Sequence, residues 1–263
     1  MATTLRYDAE AAARLVAIYL TPDMVAQRAA VLRAAVLRAL VPNAGDRVLD
    51  VGSGPGLLAA AIAERVGAAG QVLGVDISAP LLAYARMHFA ALPWLRFVQA
   101  DAARLPCADA SFDTIVCTQV LEYLPDVDAA LAEFARVLRP GGQLLAIDTD
   151  WDSLVWASGD VARMARVLAL WDRHVPDPHL PRTLGRRMER AGFERVCVRA
   201  VPLLNPAFDP DTYSNRLIDL IASFAASRGA DASEIDAWAG ELRARDDYFF
   251  SLNRYMFFAV RTR

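Results

Sequence analysis

The segment VLDVGSGPG (48–56) ends an apolar run in a turn built from Gly52, Gly54 and Gly56 and passes directly into a helical pattern. Bare backbone at a helix start lets a ligand approach the converging N–H groups of the helix N-terminus. Asp76 closes the next apolar run, 20 residues after Gly56, where a carboxylate can accept both hydroxyls of a ribose. The third run, LRFVQAD (95–101), ends in Asp101, placed to accept a hydrogen bond from an adenine amino group, with the Ala102 N–H available to a ring nitrogen. Two ligands compete for such an ordered set, a dinucleotide and S-adenosylmethionine.

Three features decide between them, and Asp101 with Ala102, matched to an adenine edge, is one. Leu57 stands where G-x-G-x-x-G needs its third glycine, which breaks the dinucleotide fingerprint. Asp50, at the end of the first run, would oppose a pyrophosphate but favours a cationic ammonium or sulfonium. The set therefore reads as an S-adenosylmethionine site. An NAD-dependent oxidoreductase is the rival enzyme, and a non-catalytic S-adenosylmethionine-binding module is the rival from another class. Taken alone, the glycine loop is equally an ordinary turn of a parallel α/β protein.

Composition narrows the chemistry further. All 28 basic residues among the 263 are Arg, so Lys Schiff bases, a P-loop Lys and Lys general bases are excluded. A formal net charge of −3 gives no long-range attraction for a phosphate backbone, which favours a small-molecule partner over nucleic acid. Cys107, Cys117 and Cys197 are odd in number and far apart, which suits a reducing cytosol, and all three read as core residues. Asp8 and Glu10 stand where a signal peptide needs positive charge, and no apolar run reaches the ~18 residues of a membrane span. The expectation is a soluble cytoplasmic protein with no membrane span.

The elements that position these residues follow from periodicity. Short, nearly continuous apolar runs at 47–52, 71–76, 95–101, 112–119 and 142–150 read as strands buried on both faces, with helical patterns between them. Such alternation predicts a parallel sheet with right-handed crossovers. Two helices precede it. After residue 150 the pattern predicts helices near 160–175 and 182–192 and strands at 194–204 and 251–263, around an insert (205–247) of lid size with helices over 213–227 and 233–245.

The runs VLDVGSGPG (48–56), VDIS (75–78), QADAARLPCADASFDTIVCTQVLEYLPD (99–126) and RVLRPGGQLLAID (136–148) resemble the class I S-adenosylmethionine-dependent methyltransferases, in particular their small-molecule branch of the ubiquinone/menaquinone-biosynthesis type. The resemblance covers residues 45–150. It implies a Rossmann-like, doubly wound, seven-stranded sheet of order 3-2-1-4-5-7-6, last strand antiparallel, with N-terminal helices and a helical lid insert. It implies one methyltransferase domain (1–263), divided into an N-terminal cover (1–44), a cofactor core (45–150) and an acceptor-side half (151–263). It implies that Gly52, Ser53 and Gly54 hold the methionine part, Asp76 the ribose, Ile77 and Leu81 the adenine surroundings, and Asp101 with Ala102 the adenine edge. Thr118 and Gln119 would approach the methionine end. Relatives place a helix over the cofactor, where Tyr19 and Arg28 would close the pocket, Arg28 pairing with the methionine carboxylate; a plain surface helix is the alternative.

The acceptor side is thinner. Asp148, Asp150 and Asp152 leave the fifth strand at its C-terminal end, and Trp151, Trp156 and Trp171 put three of the five tryptophans in one segment. They read as an apolar acceptor wall or as core beneath the lid. Asp150, Tyr19 and Tyr123, with Trp151 and Trp156, are the candidates for holding the acceptor. No general base is assigned. His174 and His179, with Asp172 or Asp177, could be metal ligands, but the prolines between them prevent helical spacing, so no metal is expected. Arg182, Arg186, Arg187 and Arg190 read as a solvated helix face. The expected activity is methyl transfer to a small, partly apolar acceptor at an N, O or C atom, by a monomer or homodimer.

Overall fold

A computed structural model describes residues 9–37 and 44–262. Two helices, α1 (Ala9–Tyr19) and α2 (Pro22–Leu37), come first. Then β1 (Arg47–Val51), α3 (Leu57–Val66), β2 (Gln71–Asp76), α4 (Ala79–His88), β3 (Leu95–Gln99), β4 (Phe112–Thr118), α5 (Val127–Val137) and β5 (Leu138–Thr149) alternate. The second half holds β6 (Val155–Trp156), α6 (Val161–Trp171), α7 (Pro181–Arg190), β7 (Phe193–Asn205), α8 (Tyr213–Ser227), α9 (Ala232–Arg243) and β8 (Phe250–Arg261).

The strands form one sheet in the order β3-β2-β1-β4-β5-β8, with β7 and the two-residue β6 both paired to β8. β1 to β5 are mutually parallel, and β8 runs antiparallel to both β5 and β7. This is the expected 3-2-1-4-5-7-6 arrangement with a short eighth strand that the sequence reading did not anticipate. Val155 and Trp156 are too few to carry a period, and they pair because Ser251 and Phe250 lie beyond the reach of β5. The fifth strand also starts earlier than expected, since Leu138 already pairs with Phe112 ahead of the Pro-Gly-Gly turn.

Both sheet faces are covered, which is why the strands read as apolar runs rather than alternations. One face packs Val48, Val72 and Ile147 against Ile62 and Leu82 of α3 and α4. The other packs Leu49, Ile115 and Leu144 against Leu131 and Phe134 of α5 and Leu184 of α7. A third, aromatic-rich cluster lies in the second half, where Trp151, Trp156 and Trp171 meet Ile218 of α8 and Trp238 of α9. It reaches Met24 of α2 and half-buried Tyr19, so the N-terminal helices and the insert share one core. Of the cysteines, Cys117 is buried, whereas Cys107 and Cys197 are only half-buried, a departure from the expectation that all three are core.

Candidate functional site: the C-terminal edge of the sheet

β1 ends in a turn that only glycine builds. Gly52 has φ +69°, and a Cβ there would lie 2.0 Å from Val120 Cγ2. Gly56 has φ +80°, and a Cβ there would lie 2.6 Å from the Phe97 ring and 2.9 Å from Ala85. Gly56 thus supplies the close approach of α3 to the sheet, the task that the third glycine of a dinucleotide loop performs one residue later. The Gly52 and Ser53 amides both donate to Val75 O, at 2.8 and 2.9 Å, fastening the turn to β2.

Asp76 stands across this turn. Its Oδ2 accepts the Gly54 N–H at 2.8 Å and its Oδ1 accepts the Ser78 N–H at 2.8 Å, leaving lone pairs on both oxygens. Burial raises its pKa while these amides pull it down. Asp50 is enclosed more completely. It is 1% exposed, and no side chain meets either carboxylate oxygen among the described residues, while the nearby Ala59 amide pulls its pKa down. Burial, with the neighbouring charge of Asp76, pushes its pKa up to about 8. Ser53 Oγ is likewise buried without a partner among the described residues. Such orphans cost roughly 1–3 kcal/mol each, so they mark a place where a ligand completes the structure.

The cavity that Asp50 faces is lined by Gly52, Ser53, Thr118 and Gln119 from the sheet edge and by Tyr19, Gln27 and Arg28 from the N-terminal helices. Arg28 Nη1 donates to Tyr19 O at 2.5 Å, and burial lowers its pKa. Gln119 is held at φ +56°, a strained conformation for a side-chain-bearing residue, by its N–H on Ile147 O at 2.7 Å and by Thr149 Oγ1 on its side-chain oxygen at 2.7 Å. Ile77 is 46% exposed beside Asp76, while Leu81 is buried, with its amide capped by Ser78 Oγ. Asp101 is exposed, with Oδ1 taking the Ala103 amide, and Ala102 is buried.

Several acceptor-side candidates have other occupations. Asp150 accepts two hydrogen bonds from Arg182, at 2.9 and 3.0 Å, and Arg182 also reaches Asp152. Arg182 is therefore not part of a purely solvated face. Trp156 is 5% exposed, packs on Trp238 and Phe250, and donates to Tyr248 Oη at 3.1 Å. Trp151, 4% exposed, is also core and gives its indole N–H to Glu122. Tyr123 is half-buried, with its ring near-perpendicular to that of His174 at 6.1 Å. His179 gathers with Asp150 and Asp152, their ligand atoms within 4.8 Å of one another. The Arg182 guanidinium already meets both of those carboxylates.

A buried polar network beside the cavity joins residues whose local sequence pattern does not link them. Asp148 Oδ1 accepts the Val120 and Glu122 amides at 3.2 Å, and Glu122 Oε2 accepts the Thr149 amide at 3.1 Å. Burial raises Glu122 to about 7, against the pull of Arg254. Asp148 is raised by burial and by Glu122. Arg254 is 2% exposed, donates to Gln27 and to Met24 Sδ, and lies 4.8 Å over the Tyr213 ring. A lone Arg in the last strand carries no sequence signal, because its partners are some 230 residues away.

Residues 49–146 match the family described as methyltransferase domain. An uncharacterized methyltransferase of Mycobacterium bovis is 34% identical over 176 residues, 63% of this chain and 86% of that protein. The chain belongs to the methyltransferase family. The arsenite methyltransferase of Aquipseudomonas alcaligenes is 42% identical over 113 residues, 40% of this chain and 33% of that protein. The match to a transposon-encoded protein of Streptomyces fradiae spans 49% of its length. The fold is shared with phosphoethanolamine N-methyltransferase 2 of Haemonchus contortus, at TM-score 0.63 and 20% identity over 98% of this chain and 58% of that one. Family membership and the orphaned carboxylate agree on the ligand. Asp50, Ser53 and the glycine turn fit S-adenosylmethionine, whose cationic sulfonium and ammonium an uncompensated carboxylate favours.

Proposed function

We propose that the chain transfers a methyl group from S-adenosylmethionine to a small, partly apolar organic acceptor. The observation that carries this reading is Asp50, a fully buried carboxylate beside the glycine turn that no cationic side chain meets among the described residues. S-adenosylmethionine supplies an electrophilic methyl on a sulfonium. The chain's own work is then to bind, orient and exclude water, since in-line transfer depends chiefly on positioning.

In this reading Asp76 accepts the ribose hydroxyls, Asp101 and the Ala102 amide meet the adenine edge, and Ile77 and Leu81 flank the ring. Gly52, Ser53, Gly54, Thr118 and Gln119 surround the methionine part. Arg28 turns from Tyr19 O to the methionine carboxylate. The acceptor lies toward the aromatic cluster, which meets the cavity at Tyr19 and Met24, and residues 205–247 cover it. The arsenite and phosphoethanolamine methyltransferases act on small molecules, as their names state. A net charge of −3 also supports a small acceptor over nucleic acid. Among the described residues no helix is long and apolar enough to cross a membrane. A cytoplasmic monomer or homodimer completes the proposal.

A thermal-shift panel with S-adenosylmethionine, S-adenosylhomocysteine and NAD tests it, because a ligand that binds only the native state raises stability by mass action. Stabilisation by the first two and not by NAD is expected. Stabilisation by NAD alone would overturn the reading, and binding without turnover on any acceptor panel would leave the non-catalytic module.

A further inference from the structure

The loop after α6 carries a histidine that neither the cofactor cavity nor the ion pairs use. His174 Nδ1 lies 2.5 Å from Trp171 O, and a carbonyl only accepts, so the hydrogen is on Nδ1. Nε2 is thereby left as a bare lone pair, and it is buried with no partner among the described residues. Burial lowers the His174 pKa to about 4, so the ring is neutral at ordinary pH. The imidazole is stacked on the Trp171 indole, with centroids 3.6 Å apart and an interplanar angle of 11°. Trp171 Nε1 is itself a buried donor with no partner among the described residues.

Two buried groups of opposite polarity thus stand unpaired on one stacked pair, at a cost of roughly 1–3 kcal/mol each. The Trp151 ring stands 4.6 Å from His174 at 87°, and Phe224 and Tyr123 lie near-perpendicular to it at 6.2 and 6.1 Å. These groups come from α6, α8 and the loops after β4, β5 and α6. They belong to the cluster that reaches Met24 and Tyr19, two residues lining the cofactor cavity.

We propose that Trp171 Nε1 and His174 Nε2 form a polar subsite of the acceptor pocket that recognises a hydroxyl group on an otherwise apolar ligand, the indole N–H donating to its oxygen and the imidazole accepting its hydrogen. The subsite rests on the methyltransferase reading only in calling that ligand the acceptor. His174 here binds and orients, and the methylated atom is not specified. A site built around a ligand O–H rejects an analogue that lacks it, because its own buried groups are then left unpaired.

The test is calorimetric titration of the full chain with 2-naphthol, 2-methoxynaphthalene and naphthalene, with and without saturating S-adenosylhomocysteine. In the wild type, 2-naphthol should bind about tenfold more tightly than 2-methoxynaphthalene, which accepts from the indole but has nothing to donate. His174→Phe keeps the stacked ring and removes the lone pair, so the two should fall within about twofold of each other. Trp171→Phe should weaken both oxygen-bearing ligands toward naphthalene. Equal affinity of all three for the wild type would mean that water serves both atoms, and it would overturn the proposal, as would failure of all three to bind. An unchanged preference for 2-naphthol in folded His174→Phe would do so too. If either variant fails to fold, the wild-type order of the three ligands still decides. Loss of S-adenosylhomocysteine binding would strike the methyltransferase reading, while the hydroxyl preference measured without it judges the subsite separately.

Discussion

Trp151 gives its indole N–H to Glu122 Oε2 across 3.1 Å, and the Thr149 amide donates to the same oxygen. This joins the loop after β4 to the end of β5, the two segments between cofactor cavity and aromatic cluster. Trp151→Phe should therefore cost about 1–2 kcal/mol, and Trp151→Ala about 3–5 kcal/mol from lost packing as well. S-adenosylhomocysteine affinity should stay within about threefold while the acceptor KM rises or kcat falls. Denaturant melts and calorimetry check both halves, and an equal loss of cofactor binding would move Trp151 to the cofactor side.

Asp76→Ala should weaken S-adenosylmethionine binding by about ten- to a hundredfold, since a carboxylate accepting hydroxyls in a partly buried site is worth roughly 1.5–3 kcal/mol. It also frees the Gly54 and Ser78 amides, so a modest fall in melting temperature is expected. Unchanged affinity in folded protein would remove Asp76 from the ribose role.

Proton linkage gives a third expectation. Asp50 is pushed up to about 8 and Glu122 to about 7 in the folded chain, whereas unfolded carboxyls titrate near 4. The folded state holds protons that the unfolded chain has released, so this stability is complete below about pH 4 and is lost as pH rises to about 8. His174, lowered to about 4, acts oppositely and loses stability as pH falls below about 6.5. Between about pH 6.5 and 8 only the carboxyl slope remains, and ligand-free protein should become less stable. Asp50→Asn should flatten that slope. A bound cation favours ionised Asp50, so S-adenosylmethionine binding near pH 7 should release a proton, seen as a buffer-dependent heat that the variant lacks.

The N-terminal helices and the insert should respond together. Asp23 Oδ2 accepts the Tyr213 amide at 2.7 Å, capping α8 from α2, and both its carboxylate oxygens accept from Asn205 Nδ2. Asp23→Ala should cost about 1 kcal/mol and speed hydrogen exchange in both 22–29 and 213–227. In the wild type, exchange across 205–247 should exceed that of the sheet and slow when acceptor and cofactor bind. Exchange in the insert as slow as in the sheet and blind to both ligands would remove the covering role.

The order of strands and helices through residue 150 was open to reading because buried parallel strands and amphipathic helices carry their own periods. The glycine turn and Asp76 were equally plain, since a positive φ and a strand-terminal carboxylate are local properties. Tyr213–Ser227 was placed to the residue by its apolar spacing. The tertiary structure alone decided what depends on distant partners. Asp150 is claimed by Arg182, 32 residues on, and Arg254 meets Gln27 across 227 residues. Glu122 became buried because β5 returns beside it. His174, on sequence a loop residue, acquired its tautomer from Trp171 O and its orphaned nitrogen from the aromatic rings around it. Charge pairing and burial depend on long-range contacts, and a local sequence pattern does not encode them.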